Sequence, residues 1–519
     1  MRDMRKILQF AKRNKAEVAL LMLIFLSAAV LRLYNLEWEA LAWNEGTLLG
    51  GSKEYVSGNF LYNFGDFAAP PMLKYLGAVA LYMFGFSEFW LRAIGVIFGL
   101  GTVLLTYLIG RRYYDRNIAL FAAAIVGFSM IHINFSRTFL TEPVLGFFFT
   151  ASFYAYLRVA KDGETRKWPV ILGIAAACAL LSKWIGINLL VAIAVHALYS
   201  RHLRIHLRKK FAIEAESWLF KAFLVFLIAF FVIWPMALYP IKLDVSVSVV
   251  GMEDHGDTFI LNVPTILLSP QEYLTVALGR EEKIAPGQIL PIMWVPLLGY
   301  TLLMFSKESL LFAALFIAGL AAMYKARRKI DKDILIFLGV FLLILWLQRY
   351  GQTYRYLTVI MPLAAIVAAR SMGLVKKANL RIAAIVLFSA VLLGTAIAVH
   401  PNYNVHYNFV EAPFGFMQVD QEIWNTDGFR EGIEYVKANC RAVTGNMAGT
   451  LINYVGDPSS FIVPDPTESD LPICAYVSTE FEARTGFIGE LERKLDAECT
   501  LEKEITRGGS HLRSIYSCA

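Results

Sequence analysis

Residues 16–46 read AEVALLMLIFLSAAVLRLYNLEWEALAWNEG. An apolar run of about 18 residues, enough to cross roughly 30 Å of hydrocarbon, closes near Tyr34. A Trp, an Asn and a Glu follow. Upstream, MRDMRKILQFAKRNK is basic. A secretory signal has a shorter apolar core and a small-residue cleavage site, so this stretch reads as a retained transmembrane anchor. Its basic side then faces the cytoplasm. The pair Asn44-Glu45 thus stands just beyond the far end of the first span. Asn is a good N-cap and an acid suits the first helical turn, so the pattern predicts Asn44 as the cap of a helix starting at Glu45. Such a helix would also be a rigid mount for Glu45.

The rest of the chain follows from that reading. Of 519 residues, 57% are hydrophobic and 18% charged, and the mean hydropathy is +0.52. A soluble domain carries about 25% charged residues, so this is an α-helical polytopic membrane protein. Apolar spans are expected near 17–35, 90–109, 118–134, 144–160, 168–182, 184–200, 218–238, 308–324, 334–347, 357–373 and 381–399, eleven in all. The segment 168–200 is flanked on both sides by basic clusters, KDGETRK and RHLRIHLRKK. With RRYYD, KARRKIDK and KKANLR these belong on the cytoplasmic side. The segment must therefore go out and return, with Lys183 at the hairpin tip.

An odd number of spans starting inside puts the C-terminus outside. Residues 401–519 hold 9 Lys+Arg and 18 Asp+Glu, about −9; out of totals of 49 and 42, the first 400 hold 40 and 24, about +16. The expected organisation is a transmembrane domain over 1–400, with outer loops 36–89 and 239–307, and a small extracytoplasmic α/β domain over 401–519. In the tail, 427–440 and 486–499 have helical periodicity, while 473–479, 500–506 and 512–518 alternate like strands. Cys440, Cys474, Cys499 and Cys518 lie there, and two disulfides are expected in an oxidising compartment. Within the second loop, QILPIMWVPLLGY (288–300) is Pro-broken and reads as interfacial. No phosphate loop, dinucleotide fingerprint or zinc-finger spacing occurs, and nothing points to nucleic acid. Repeated halves with broken midplane helices, expected of a secondary transporter, are absent from the sequence.

Ionisable residues at the membrane edge are costly and are functional candidates by default. YNFGDFAAPPMLKYLG (62–77) carries Asp66 and Lys74 around a Pro pair that stiffens the return to the membrane. INFSRTFLTEPVLGFFF (133–149) carries Arg137 and Glu142, close enough in sequence to pair with each other. Lys183 and the segment QRYGQTYRYL, with Arg355 and Tyr356, lie at similar depth. Snorkelling explains one such cation, but not several converging on the leaflet that Lys and Arg usually avoid. Cations suit a lipid phosphate, Arg as a fork and Lys as a point charge. A carboxylate above them, Glu45, Asp66 or Glu142, can take a proton from an acceptor hydroxyl. A leaving phosphate is already a stable anion, so one base is enough, unlike the two carboxylates of glycoside hydrolysis. Glu253, His255 and Asp257, in EDHGD, form an oxygen-rich turn able to hold a divalent cation.

Asn44-Glu45 after span one, PPMLKY, GRRYYDR, SR…EP before span four, LSKWIG and YRYLTVIMPL come in an order that resembles the C-type (GT-C) glycosyltransferases. The branch is that of the protein O-mannosyltransferases and the lipid A aminoarabinose transferases, and the resemblance covers about residues 15–400. It implies a membrane glycosyltransferase of the plasma membrane. The enzyme would move a sugar, with inversion, from a polyprenyl-phosphate to a hydroxyl of a protein, lipid or glycan on the outer face. Lys74, Arg137, Lys183, Arg355 and Tyr356 would contact the donor phosphate. Asn44, Glu45, Asp66 and Glu142 would form the catalytic face. His255 resembles a second-loop metal ligand of some relatives. In the family the first member of the acidic pair is the catalytic Asp, and here it is Asn44. Three readings stay open: Glu45 or Asp66 is the base, the protein is a non-catalytic relative assisting lipid-linked glycan assembly or export, or Asn44 is an inactivating replacement.

Overall fold

The computed structural model describes residues 14–37, 41, 43–59, 70–206, 212–235, 241–244, 258–261, 298–347 and 354–400. In the tail it describes 431, 434, 435, 438, 442–445, 473–478, 499–507 and 510–518. The helices, in order, are α1 (Lys15–Leu33), α2 (Trp43–Val56), α3 (Met72–Phe84), α4 (Glu88–Tyr113), α5 (Arg116–Phe128), α6 (Met130–Ser136), α7 (Thr141–Ala160), α8 (Trp168–Ser182) and α9 (Ile187–Tyr199). They continue with α10 (Ser217–Ile233), α11 (Leu298–Lys307), α12 (Leu310–Ala326), α13 (Lys329–Leu347), α14 (Met361–Ala369) and α15 (Ala378–Val399). Four of them, α1, α4, α7 and α15, are long and apolar enough to cross a membrane, and the bent pair α5–α6 makes a fifth. The other expected spans coincide in position with shorter apolar helices or with α13.

Local chemistry sets the helix ends. Ser87 caps α4, Asp115 caps α5 through the amides of Asn117 and Ile118, and Ser309 caps α12. Helices cross closely where side chains are smallest. A Cβ on Gly319 of α12 would overlap the Val367 carbonyl oxygen of α14, so only glycine permits that crossing. The core runs through α5, α7, α13 and α14; Phe121, Phe149, Phe153, Phe337 and Phe341 of the first three are fully buried.

The third expected span is broken. α5 and α6 meet at Ser129 with a bend of 58°. A break inside a bilayer is tolerated only where its freed backbone groups find partners in protein. Here a cation serves the carbonyl side and an acid the amide side. Arg32 of α1 donates to the carbonyls of Gly127 (2.8 Å) and Val126 (3.4 Å) and to His132 Nδ1 (2.9 Å). Glu308, between α11 and α12, accepts from the Ser129 hydroxyl and from the amides of Met130 (3.2 Å) and Ile131 (3.0 Å). These charges match the polarity of the helix ends they face.

A short antiparallel hairpin, β1 (Leu203–His206) and β2 (Ala212–Ala215), joins α9 to α10 within the basic cluster. β3 (Ile241–Asp244) pairs with β4 (Thr258–Leu261) in the second loop. In the tail, β5 (Ala442–Gly445), β6 (Ile473–Ser478), β7 (Cys499–Arg507) and β8 (Ser510–Cys518) form one sheet in the order β5-β6-β8-β7, with β5 parallel to β6. Three of these strands fall where the alternation placed them. The tail helices lie largely outside the described residues, as do the disulfides; the ladder sets Cys499 opposite Cys518. Of the stretch read as interfacial, residues 298–300 are described, and they open α11.

Candidate active site

Four sequence-predicted residues meet at one point. Glu142 lies in the first turn of α7, where an acid suits the helix dipole, and is 1% exposed. Lys183 occupies the extended step after α8, which ends at Ser182, and its Nζ is 2.6 Å from Glu142 Oε1. Arg355, in a 3-10 turn over Tyr354–Val359, brings Nε to 3.6 Å from the same oxygen. Both cations stand over the Tyr356 ring, each 4.8 Å from its centroid, and Arg355 Nη2 donates to the Tyr356 hydroxyl at 2.8 Å. The side chains of Lys183 and Arg355 keep 22% and 18% exposure, while Glu142 keeps 1%. Two part-exposed cations thus flank one buried carboxylate.

The first-loop residues lie on α2 and α3. Lys74, in the first turn of α3, is 1% exposed and lays its stem along α2, where a Cβ on Gly51 would come within 2.7 Å of Lys74 Cδ. Asn44 is inside the first turn of α2, not its cap, and is half-buried. The expected cap is thus corrected by the helix starting at Trp43.

Glu45 is held by its neighbours. Arg92 of α4 grips it with a fork, Nε to Oε1 and Nη2 to Oε2, both 3.0 Å, and the Phe139 amide donates at 2.7 Å. A carboxylate held by three donors, 1% exposed, acts as a brace between α2, α4 and the loop before α7. Arg137 does not pair with Glu142 either. Its guanidinium reaches the carbonyls of Leu31 (3.0 Å), Arg32 (3.1 Å), Tyr34 (2.8 Å) and Asn35 (2.8 Å), closing the C-terminal end of α1. A helix end with unsatisfied carbonyls and negative dipole is a natural seat for a cation. Arg137 thus caps the C-terminal end of α1.

Asp66, Glu253, His255 and Asp257 lie outside the described residues. Among the described residues no group of three or more His, Cys, Asp or Glu is placed to hold a metal. The sequence reading passed over Arg32, Arg92, Lys307 and Glu308, each at most 4% exposed. The rule that ionisable groups within apolar spans are costly would have flagged them.

Comparison with known proteins bears on this geometry. Residues 68–237, about a third of the chain, match the family model of dolichyl-phosphate-mannose-protein mannosyltransferase. Two proteins of Aquifex aeolicus (strain VF5), both described as uncharacterized, are 32% identical over 138 and 172 residues. These matches cover 27% and 31% of this chain, which spans about a third of each relative's length (31% and 34%). Among solved structures, ArnT from Cupriavidus metallidurans in the apo state aligns with a TM-score of 0.56 at 14% identity, over 96% of this chain and 98% of ArnT. The same protein bound to undecaprenyl phosphate gives 0.55 at 14% identity, over 97% and 98%. The chain is thus a membrane protein with the fold seen in the ArnT structures.

Proposed function

We propose that the protein transfers a sugar from a polyprenyl-phosphate carrier to an acceptor hydroxyl, with inversion at the sugar's anomeric carbon. The observation that carries the reading is the cluster of Lys183 and Arg355 over Tyr356, with Glu142 between them. The family match over 68–237 and the undecaprenyl phosphate in the ArnT structure support it. In this reading the two cations and Lys74 receive the carrier phosphate. The bond from the anomeric carbon to the phosphate oxygen breaks as the acceptor oxygen attacks from the opposite face. The electron pair leaves with the phosphate, whose charge the cations stabilise. The acceptor proton goes to a carboxylate. Glu45, Asp66 and Glu142 are the candidate bases; Arg92 forks Glu45, while Lys183 and Arg355 face Glu142.

The positive-inside rule supports an orientation with the N-terminus cytoplasmic and this cluster at the outer face. Residues 1–400 would be the transferase domain and the acidic 401–519 an extracytoplasmic one. One observation favours a second reading, a non-catalytic relative assisting lipid-linked glycan assembly or export: the residue at the position of the family's base is an amide, Asn44. A comparison of the native chain with Asn44→Asp separates the two. Each is incubated with radiolabelled polyprenyl-phosphate sugar and membranes, and release of sugar from the lipid is followed. Transfer by the native chain supports the first reading with a base other than residue 44. Transfer by Asn44→Asp alone means the site is sound and the native side chain disables it. No transfer by either variant with any polyprenyl-phosphate sugar supports the second reading.

A further inference from the structure

Glu308 has no part in the reaction proposed above, yet it is 2% exposed and holds three donors at the head of α6. α6 leads from there to the cation cluster. Its Asn134 Nδ2 donates to the Tyr354 hydroxyl at 2.9 Å, and its Phe135 ring lies 5.2 Å from the Tyr354 ring. Lys307, the residue before Glu308, puts its Nζ 4.0 Å from the centroid of the same ring. Tyr354 is therefore clasped from two sides, by α6 and by the end of α11, and Glu308 fastens those two elements to each other. Arg355 and Tyr356 are the next two residues of the chain.

We infer that Glu308 is a positioning residue for the phosphate-binding cations. It locks the break in the α5–α6 span to the break between α11 and α12. That lock sets Tyr354, and through it the place of Arg355 and Tyr356 beside Lys183 and Glu142. The geometry makes the effect directional. A packed core transmits displacement because its elements have no slack. α6 is only 7 residues long and makes few hydrogen bonds of its own, so its place depends on external donors and acceptors. Loss of the carboxylate leaves the Met130 and Ile131 amides without an acceptor in a dry place, which drives α6 to shift. The inference rests on the reading of Lys183 and Arg355 as the phosphate seat.

The test uses the full-length protein in lipid nanodiscs, as native chain, Glu308→Gln, Glu308→Ala, Tyr354→Phe and the double variant Glu308→Gln/Tyr354→Phe. Two readouts are taken: the Kd for undecaprenyl phosphate and the hydrogen exchange of the segment 354–359. Tyr354→Phe removes one hydroxyl and keeps the ring, so it folds even if the Glu308 variants express poorly. Glu308→Gln is expected to weaken binding about tenfold, the change that loss of one charged hydrogen bond brings. Tyr354→Phe is expected to weaken it about threefold, from loss of one neutral hydrogen bond. The double variant should be no worse than Glu308→Gln alone, because both act through one clasp. Exchange over 354–359 should accelerate in the Glu308 variants, while α10, which packs against α8, keeps its native rate. Multiplying effects on Kd, or unchanged exchange over 354–359, overturns the inference. If the native chain does not bind undecaprenyl phosphate, the proposed function falls. The exchange readout then decides the clasp alone.

Discussion

The two ends of α7 handle charge in opposite ways. At its start, Glu142 faces two cations, both partly open to solvent. About 30 Å away, by the 1.5 Å rise per residue over its 20 residues, the acids and cations pair off. Asp333 of α13 meets Lys161 at 2.6 Å and His196 Nε2 at 2.9 Å, and His196 Nδ1 lies 2.8 Å from the Tyr156 hydroxyl. Asp331 takes the Arg370 guanidinium at 3.2 and 3.3 Å and the Tyr114 hydroxyl at 2.6 Å. Arg158 is shared between Asp162 and Glu164. Closed pairs join helices. At the other end two part-exposed cations converge on one buried carboxylate, and in the proposed reading that is where the phosphate arrives.

The sharpest way to break that contrast is Asp331→Ala. It strands the Arg370 guanidinium, 4% exposed, and should cost about 3–5 kcal/mol of stability, the usual consequence of leaving a buried charge alone. Thermal unfolding in nanodiscs measures it, and undecaprenyl phosphate affinity of the surviving folded protein should stay within twofold of native. An equal loss of affinity would mean that the far end belongs to the site. Lys183→Ala should do the reverse. Affinity falls about tenfold or more with loss of a charge-assisted contact, while stability changes by about 1 kcal/mol because Arg355 still faces Glu142. A titration that shows no change in Kd removes Lys183 from the phosphate seat.

A smaller effect sharpens the comparison at the site end. Burial first, and the Arg137 guanidinium second, push the His400 imidazole below its ordinary value of 6.5. The folded state therefore resists a proton that the unfolded chain accepts. Stability is intact above the ordinary value and is lost as pH falls below it. The melting temperature should drop by roughly 1–3 °C between pH 7 and pH 5 more in the native chain than in His400→Asn. Equal drops would show that His400 carries none of the acid sensitivity.

The hydrophobic pattern made most of the bundle legible. α1, α4, α7 and α15 fall within a few residues of the apolar runs, and charge alone divided 168–200 into α8 and α9. Glu142, Lys183, Arg355 and Tyr356 were legible because each is a costly residue at an apolar edge. The partner of Arg137 was not. Glu142 is five residues away and the carbonyls of α1 about a hundred, and sequence proximity favours the wrong one. The break at Ser129 was hidden as well, since VGFSMIHIN stays apolar across it and a 58° bend leaves hydropathy unchanged. The β1–β2 hairpin was masked by its charges, although LRIH and AIEA alternate with a period of two.

The break in the third span also imposes an order on synthesis. Its carbonyl side is served by Arg32, made before the span itself. Its amide side waits for Glu308, about 177 residues after Ile131. At 5–20 residues per second the ribosome takes roughly 10–35 s to reach that point. For that interval the nascent third span sits in the translocon or the bilayer with two amides that nothing in its own helix can satisfy. A ribosome stalled before residue 308 should therefore leave α6 exposed to protease while α5, already anchored by α1, is protected. Biogenesis of this half of the bundle is complete only when a segment from its other half arrives.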